Sequence, residues 1–416
     1  MKTLTHCLLL AGALSASGVA RAQTLTLEEA LKIGEAQSPR LAAQRHAFTA
    51  ADEQTVRAGE LPDPKLRLGI ENLPVSGPDA WRYDRDSMTM RAIGLMQEFP
   101  NSDKRAARST RAARARDVER SMLLSQRATL HRDIAVAWLD AHFAESSRAA
   151  LERLVERLSA QVDAATAGVA RGRQSAAESF MLRGAVEQAR DKVLDQERIA
   201  ARARYMLAAL IGEEARRPLG ASPDLGRLSH PREALVERLQ EHPELRVLEQ
   251  RQELARAEVD IARASRRSDW SLEVGYGHRA PTFDNMLSVM VAIDLPWQAK
   301  QRQDRDIASR LAELEQARAR KEDAQRMHEA EIRGWLADFD SATRRLQRFQ
   351  ALLLPLANER SAAALAAYRG GRGELSAVLD AQRAITETEL SALAIEAERA
   401  RAWANLSYLY PHEAAK

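Results

Sequence analysis

The longest regular pattern in the chain is helical. Residues 101–167 contain neither Gly nor Pro, and Ala-rich faces carry larger apolar residues at three- and four-residue spacing, as at Leu154, Val155 and Leu158. This spacing places apolar side chains on one stripe of a helix and suits side-by-side helix packing. It predicts a helix over 101–169, which at 1.5 Å per residue is roughly 100 Å long.

Further helices are predicted on both sides of this one. A second long helix is predicted over 298–368, interrupted by Gly334 and Pro355. Apolar, Ala-rich sequence continues on both sides of Pro355, so the proline is expected to kink the helix rather than end it. Shorter helices are predicted over about 27–60, 174–211 and 374–410. The first two, stacked end to end, would approach the length of one long helix.

Four short segments between the helices alternate apolar and polar residues, which is the period of a strand with one apolar face. They cover residues 63–72, 87–99, 269–277 and 286–296. Each is close to the roughly 9 to 11 residues that a tilted strand needs to cross a bilayer. Four strands cannot close a barrel, and an open sheet in lipid leaves edge groups unpaired at several kcal/mol each. A membrane role therefore predicts that several copies share one barrel. The alternative is a β-hairpin subdomain of a soluble periplasmic protein, with the helices as a coiled-coil scaffold.

The chain also repeats itself, which indicates a tandem duplication. The pattern Glu-Ala-Leu followed by Pro-x-Leu occurs at Glu29 and Pro39 and again, at the same internal spacing, at Glu233 and Pro243. The strand pattern Asp-x-x-Leu-x-x-Gly occurs twice as well. We therefore predict a first structural repeat over 23–230 and a second over 231–416.

Composition agrees with long helices. The 416 residues include 29% charged residues and only 5% aromatic ones, with 19 Gly and 14 Pro, which favours Ala/Glu/Arg/Leu helices over a packed α/β enzyme. Residues 1–22 are typical of a secretory signal peptide that ends in Ala20-Arg21-Ala22. No later segment approaches the roughly 18 apolar residues of a spanning helix. An exported chain of this kind would have to cross a membrane with strands.

No residue pattern for catalysis or firm metal binding is present. Removing Lys2 and Arg21 leaves basic and acidic residues nearly balanced, which gives nucleic-acid binding no support. Cys7, the single cysteine, lies in the signal peptide. No two of the remaining eight histidines have the i, i+4 spacing of a helical metal pair. No phosphate loop or nucleophile motif occurs, so we expect no enzyme activity and no cofactor, and energy must come from a partner. The eight histidines are His46, His131, His142, His230, His242, His278, His328 and His412.

Three methionines of the second predicted strand, Met88, Met90 and Met96, share one strand face. Thioethers at this spacing are compatible with a path for soft metal ions. Packing against lipid or along a lumen is the favoured interpretation, because methionine is first of all an adaptable apolar side chain.

Two segments carry a resemblance to a known family. They are Met88-Thr89-Met90-Arg91 through Met96-Gln97-Glu98-Phe99-Pro100, followed by Lys104-Arg105, and Glu71-Asn72-Leu73-Pro74. With the duplicated architecture, they resemble the TolC-like outer-membrane factor (outer membrane efflux protein) family over residues 24–411, and within it the heavy-metal cation efflux branch.

The resemblance implies a mainly α fold with a small β part. Long antiparallel helical hairpins would form an α-barrel, and four strands per chain would contribute to a 12-stranded β-barrel shared by a homotrimer. It implies a channel in the outer membrane that exports heavy-metal cations together with a periplasmic adaptor (membrane fusion protein) and an inner-membrane RND pump. A drug-efflux or type I secretion channel is the alternative, and a periplasmic coiled-coil scaffold or adaptor is the alternative of another class.

The same resemblance implies roles for the two helical turns. They would form periplasmic tips that dock the adaptor, with Glu178, Tyr368 and Asp380 as pore or gate residues. For Asp380, a solvated acid on a helix surface is the alternative. Ala377 and Gly373 depart from the drug-type pattern, so a different latch is expected. The tip residues are Gly168, Arg171, Gly172, Arg369, Gly370, Gly371, Arg372 and Gly373. Loops 73–86 and 278–285 are expected to face the exterior, with Trp81, Tyr83 and Phe283 near the interface.

Overall fold

The computed structural model describes residues 24–170 and 175–410, which form a mainly helical chain with one four-stranded antiparallel sheet. The predicted fold class is confirmed in these respects. The predicted signal peptide lies outside the described residues. In chain order the elements are α1 (Leu27–Gln37), α2 (Pro39–Ala58), β1 (Lys65–Glu71), β2 (Met90–Phe99), α3 (Ser102–Ala170), α4 (Ala176–Ile211), α5 (Arg232–Glu237), α6 (Pro243–Ala264), β3 (Trp270–His278), β4 (Met286–Ile293), α7 (Gln303–Arg348), α8 (Leu354–Arg369) and α9 (Leu375–Ser407).

The sheet combines strands from both parts of the chain in the order β1-β2-β3-β4, and every neighbouring pair is antiparallel. The central pair, β2 and β3, lies more than 170 residues apart in sequence. All four predicted strands are present, although β4 ends at Ile293, three residues before the predicted end. The outer edges of β1 and β4 have no strand partner among the described residues.

Two long rods dominate the helical part. The 69-residue helix α3 packs against α2 and α4. It also packs against α6 and α9. The second rod, α7 with α8, packs in the same way against α6 and then α9. Side by side, the helices near the tips therefore lie in the order α4, α3, α9, α8. This layer leaves α4 at one edge and α8 at the other.

The predicted helix over 27–60 is wrong in one respect, because it consists of α1 and α2 separated at Ser38. Ser38 has an extended ψ of 112°, and its Oγ accepts a hydrogen bond from the Leu41 backbone N–H at 3.3 Å. A residue before proline is driven out of the helical region by contact with the proline ring. Pro39 therefore ends α1, and Ser38 caps α2.

The second long rod also differs from the prediction. It begins at Gln303 rather than 298, after a turn in which the Gln298 carbonyl accepts backbone hydrogen bonds from Gln301 and Arg302. Gly334 lies inside α7 without interrupting it. A π-helical turn, Phe349–Leu353, joins α7 to α8 and leaves Pro355 in the first turn of α8, where its missing N–H is best tolerated. The irregularity expected at Pro355 is therefore this π turn.

The main hydrophobic core lies where α1, α3, α4, α6, α7 and α9 meet. Trp138 is fully buried there, and its Nε1 donates a hydrogen bond to the Leu25 carbonyl oxygen at 3.1 Å. Tyr410 near the C-terminal end of the described chain donates its hydroxyl to the Leu235 carbonyl oxygen at 2.7 Å. These bonds satisfy the polar ends of large buried rings and join Leu25 to α3 and Tyr410 to α5.

Candidate functional site

The sheet has one face that is apolar across all four strands and also exposed. Cross-strand pairs such as Leu68 with Ile93 and Val274 with Val289 place these residues on the same side. Leu68 is 71% exposed and Val289 65% exposed. The face comprises Leu66, Leu68, Ile70, Ile93, Leu95, Phe99, Trp270, Leu272, Val274, Tyr276, Leu287, Val289, Val291 and Ile293, with Arg91, Gln97 and His278 as its polar members.

The opposite face is polar, rich in small residues and more covered. Gly94 and Gly277 are buried there, and Arg67 reaches across β2 to form an ion pair with Glu273 at 2.8 Å. Lys65 pairs with Glu98 at 2.5 Å on the same face. Methionines occupy several other positions of this face.

This distribution is the reverse of that in a water-soluble sheet, where the apolar face is covered. A contiguous exposed apolar surface marks contact with a protein or a membrane. Because the apolar face spans every strand and both sheet edges are unpaired, the sheet suits an apolar environment in which further strands complete it.

Aromatic rings lie at both ends of the apolar face. At the end next to α3, Phe99 and Trp270 stack with ring centroids 4.2 Å apart, and Trp297 just beyond β4 is 87% exposed. At the other end, the guanidinium of Arg91 lies over the Tyr83 ring, 5.6 Å from its centroid. Aromatic rings in two bands flanking an apolar zone are typical of membrane-water interfaces.

The predicted outer loops adjoin this second end. Trp81 is 70% exposed and has a positive φ of 62°, and its backbone N–H donates a hydrogen bond to the Pro74 carbonyl oxygen. Phe283 is partly covered by the guanidinium of Arg279, which also donates a hydrogen bond to the Ser87 carbonyl oxygen of the first loop. The two loops are thus tied together.

At the far end of the rods, a small apolar cluster joins the two helical hairpins. Leu154 and Leu158 of α3 meet Leu182 of α4 and Leu375 of α9 in a core separate from the main one. Tyr368, the predicted gate tyrosine, packs partly buried against this cluster. The structure therefore brings the tips of both hairpins together.

The two predicted acidic gate residues lie in this region in different settings. Glu178 closes a capping box at the start of α4, because its carboxylate accepts the Ser175 backbone N–H at 3.3 Å while Ser175 Oγ accepts the Glu178 N–H. Local helix capping gives this glutamate a structural role. Asp380 on α9 is exposed and forms an ion pair with Arg383 at 3.6 Å on the same helix.

The predicted docking turns are only partly described. Arg369 ends α8, and the turn that follows contains Gly370 to Gly373, in which Gly371 has a φ of 69°. This left-handed conformation is where glycine is required. Gly168 lies within α3, whereas Arg171 and Gly172 lie outside the described residues.

The two edges of the helical layer expose apolar side chains. On α4, Phe180 is 70% exposed and Tyr205 74% exposed, and Leu194 adds to the same helix. On the other edge, Leu352 of the π turn is 55% exposed and Leu356 of α8 is 58% exposed. Both edges are thus suited to further helix packing.

No helix in the described part of the chain is long and apolar enough to span a membrane. Across residues 24–170 and 175–410, no group of three or more His, Cys, Asp or Glu side chains is placed to hold a metal ion.

One feature was missed from the sequence. His242 and His328 stack with ring centroids 4.0 Å apart, although 86 positions separate them. His328 also contacts the carboxylates of Glu244 at 3.1 Å and Glu331 at 2.9 Å. Burial, reinforced by His328 and Arg132, lowers the pKa of His242 to about 3. The stack joins α6 to α7, and no local sequence pattern indicates it.

Comparison with known proteins identifies the fold. No protein-family description and no curated protein matches the chain by sequence. Among solved structures, CusC, whose structures concern transmembrane channel formation, has a TM-score of 0.79 at 16% identity, over 92% of both chains. The CmeC outer-membrane channel of Campylobacter jejuni has a TM-score of 0.78 at 12% identity, over 92% of this chain and 85% of that one.

A membrane protein from Pseudomonas aeruginosa has a TM-score of 0.76 at 19% identity, over 92% of this chain and 93% of that one. The chain has the fold of outer-membrane channels. At such identities the likeness establishes the fold, and the chemistry of this chain has to be argued from its own residues.

Proposed function

We propose that this chain is one protomer of a homotrimeric outer-membrane channel that exports heavy-metal cations. It would work with a periplasmic adaptor and an inner-membrane RND pump. The observation that carries the proposal is the exposed apolar face of the sheet, combined with the unpaired edges of β1 and β4.

The energetics of lipid favour a shared barrel. An unpaired backbone group in hydrocarbon costs several kcal/mol, so the free edges of β1 and β4 require strands from other copies. If β1 of one copy pairs with β4 of the next, three copies close a barrel of twelve strands, an even number within the range of outer-membrane barrels. The number three itself is taken from the family resemblance.

The helical edges support the same assembly. In a closed ring, the α4 edge of one copy, with Phe180 and Tyr205, would pack against the α8 edge of the next, with Leu352 and Leu356. Side chains that are exposed in a single copy would then be covered. The α3 rod, about 100 Å long at 1.5 Å per residue, would extend the duct into the periplasm.

The tips would supply the gate and the docking surface. Three copies of the exposed Asp380 around one narrow opening would attract cations and disfavour anions. The glycine turn Gly370–Gly373 and the predicted tip residues Gly168, Arg171 and Gly172 would meet the adaptor. Tyr368 would constrict the opening, and Glu178 would maintain the start of α4 through its capping box.

The assignment to heavy-metal cations rests on the segments Glu71–Pro74 and Met88–Arg105, which resemble the heavy-metal branch of the family. The chain would be a passive conduit, with energy and most of the substrate choice supplied by the pump.

The first test is membrane fractionation of the full-length chain, followed by denaturing gels with and without heating. We expect the protein in the outer-membrane fraction as an oligomer that becomes a monomer on heating. Recovery as a soluble periplasmic monomer would favour the scaffold alternative and overturn the proposal.

The cargo is tested in a strain that lacks the gene. We expect greater sensitivity to one or more of copper, silver, zinc, cobalt and cadmium, and restoration by the wild-type chain. Unchanged metal sensitivity together with new drug sensitivity or a loss of secreted protein would favour the drug-efflux or type I secretion alternative.

The gate is tested by Asp380→Asn in planar bilayers. We expect a lower ratio of cation to anion permeability, because the ring of charge is removed. Glu187→Gln is the matched control, since Glu187 is also an exposed acid that pairs with an arginine three positions on, Arg190 at 2.7 Å. An equal effect of both variants would contradict a role of Asp380 at the pore.

A further inference from the structure

The methionines of the sheet are segregated to one face. Of ten methionines in the chain, four lie in the strands, namely Met90, Met96, Met286 and Met290. The register places all four on the polar face and none on the apolar face. The apolar face instead uses Leu, Ile, Val, Phe, Tyr and Trp.

This placement is unexpected for methionines that serve only as apolar side chains. In a membrane barrel the inner face is lined by polar residues, because it contacts water. A thioether there gains nothing from lipid, and Met290 and Met286 are 61% and 47% exposed in the single protomer. Packing alone would have favoured the opposite face.

The four side chains form two levels along the sheet. At the first level, Met286 lies directly opposite Gly277, and Met90 lies over the same glycine. A Cβ atom at Gly277 would stand 2.5 Å from Met90 Sδ, so the bare glycine makes room for that thioether. Two methionines from different strands thus converge on one stretch of uncovered backbone.

At the second level, Met96 and Met290 lie on either side of Glu273, each directly opposite it in the register. The Glu273 carboxylate forms an ion pair with Arg67 at 2.8 Å. The uncharged donors at this level are therefore the thioethers of Met96 and Met290. The levels are about 13 Å apart along β4, since Met286 and Met290 are four residues apart and a strand rises roughly 3.3 Å per residue.

Thioether sulfur is a soft, neutral donor that prefers Cu(I) to hard ions such as Mg²⁺ or Mn²⁺, and Ag(I) is a closed-shell soft ion of the same kind. A neutral donor binds without the strong attraction of a thiolate, so an ion can leave as well as enter, as conduction through successive sites requires. The described residues contain no cysteine and no three-member His, Asp or Glu cluster for a metal. Methionine thioethers are therefore the soft sulfur donors that these residues offer.

We propose that Met90 with Met286, and Met96 with Met290, form two levels of thioether sites on the lumenal face of the sheet that bind soft monovalent cations, Cu(I) or Ag(I), during export. This inference rests on the proposed function for the lumenal position of that face, and it narrows the class of exported ion.

The test uses the purified full-length chain, with silver nitrate as the probe in chloride-free buffer. Calorimetry measures affinity, and X-ray absorption at the silver edge identifies the donor atoms. We expect a sulfur shell in the wild type and at least tenfold weaker binding when all four methionines are replaced by leucine, which keeps the volume nearly constant. The control replaces Met206 and Met327, which are exposed on helices, and should bind silver as the wild type does.

The pair variants Met90→Leu/Met286→Leu and Met96→Leu/Met290→Leu disturb the sheet less, and each is expected to remove about half of the bound silver. Wild-type affinity in the quadruple variant, or a shell of oxygen and nitrogen in the wild type, overturns the thioether sites.

The methionine sites and the channel can be refuted separately. An outer-membrane, heat-sensitive oligomer with no thioether-bound silver refutes the methionine sites alone. A soluble monomer refutes the channel and, with it, the lumenal position of the sites.

Discussion

The apolar face of the sheet can be tested with two neighbouring residues that point to opposite sides. Leu68 is the middle residue of β1, lies on the apolar face and is 71% exposed. Gly69 lies on the polar face, and a Cβ atom there would meet no other atom within 4 Å. The first side-chain atom therefore has room at both positions, so we expect the surroundings of each face to decide the result.

In lipid, the two substitutions differ strongly. Arginine on the lipid face near the bilayer midplane costs roughly 2–4 kcal/mol, whereas a lumenal position tolerates it. We expect Leu68→Arg to lower the free energy of unfolding by about 2–4 kcal/mol per protomer. Gly69→Arg should leave it within about 0.5 kcal/mol of the wild type, as for an ordinary surface position.

The measurement is urea unfolding of the protein in lipid vesicles, supported by the yield of heat-sensitive oligomer from outer membranes. In a water-soluble protein, both positions would be ordinary surface sites and both variants would unfold like the wild type. That result, or a larger loss for Gly69→Arg than for Leu68→Arg, would refute the assignment of the faces.

Three further predictions concern the helical part. Gly34→Ala would bring a Cβ atom into Ile134 Cδ1, so we expect a loss of roughly 1–3 kcal/mol in thermal unfolding, partly restored by Ile134→Val, which removes that atom. The pKa of His242 is about 3 in the fold against 6.5 when unfolded, so the unfolded state binds the extra proton between these values. Stability should fall as pH drops through this window, by up to about 1.4 kcal/mol per pH unit, and His242→Gln should reduce that slope. Ser175→Ala should destabilise the start of α4 by about 1 kcal/mol, whereas Glu178→Gln should keep the capping box.

Each of these three predictions has a control or an outcome that would contradict it. Ile134→Val alone should cost roughly 0.5–1.5 kcal/mol, and failure of the double variant to recover stability would exclude the proposed overlap. For the histidine, an unaltered pH profile for His242→Gln would contradict the role of the stack. A gating change in Glu178→Gln without a change in stability would indicate a role for the charge beyond capping.

Much of the fold was predictable because apolar residues recur along its helices and strands at the regular spacing of each element. The Gly- and Pro-free stretch 101–167 became one helix, and the alternation of Leu287, Val289 and Val291 became β4. The structure differs from the prediction where a single residue overrides the periodic pattern. Pro39 separates α1 from α2, and the irregularity expected at Pro355 takes the form of a π turn just before it.

The candidate site was less predictable, for a different reason. The family resemblance pointed to Glu178, Tyr368 and Asp380, and the structure brings Tyr368 into the apolar cluster where the tips meet. The capping role of Glu178 has a signal in the sequence, since Ser175 three residues ahead completes a recognised capping pattern. The stack of His242 on His328 had no local signal at all.

The sequence by itself determined the type of each element and the apolar face of each strand, because the periods of helix and strand are properties of neighbouring residues. Tertiary structure decided which strands pair, and therefore that all four methionines share the face of Arg67 and Glu273, two residues 206 positions apart. Register depends on contacts between distant parts of the chain, and shifting a strand by one residue would exchange its two faces. The apolar surface and the row of thioethers are both consequences of that register.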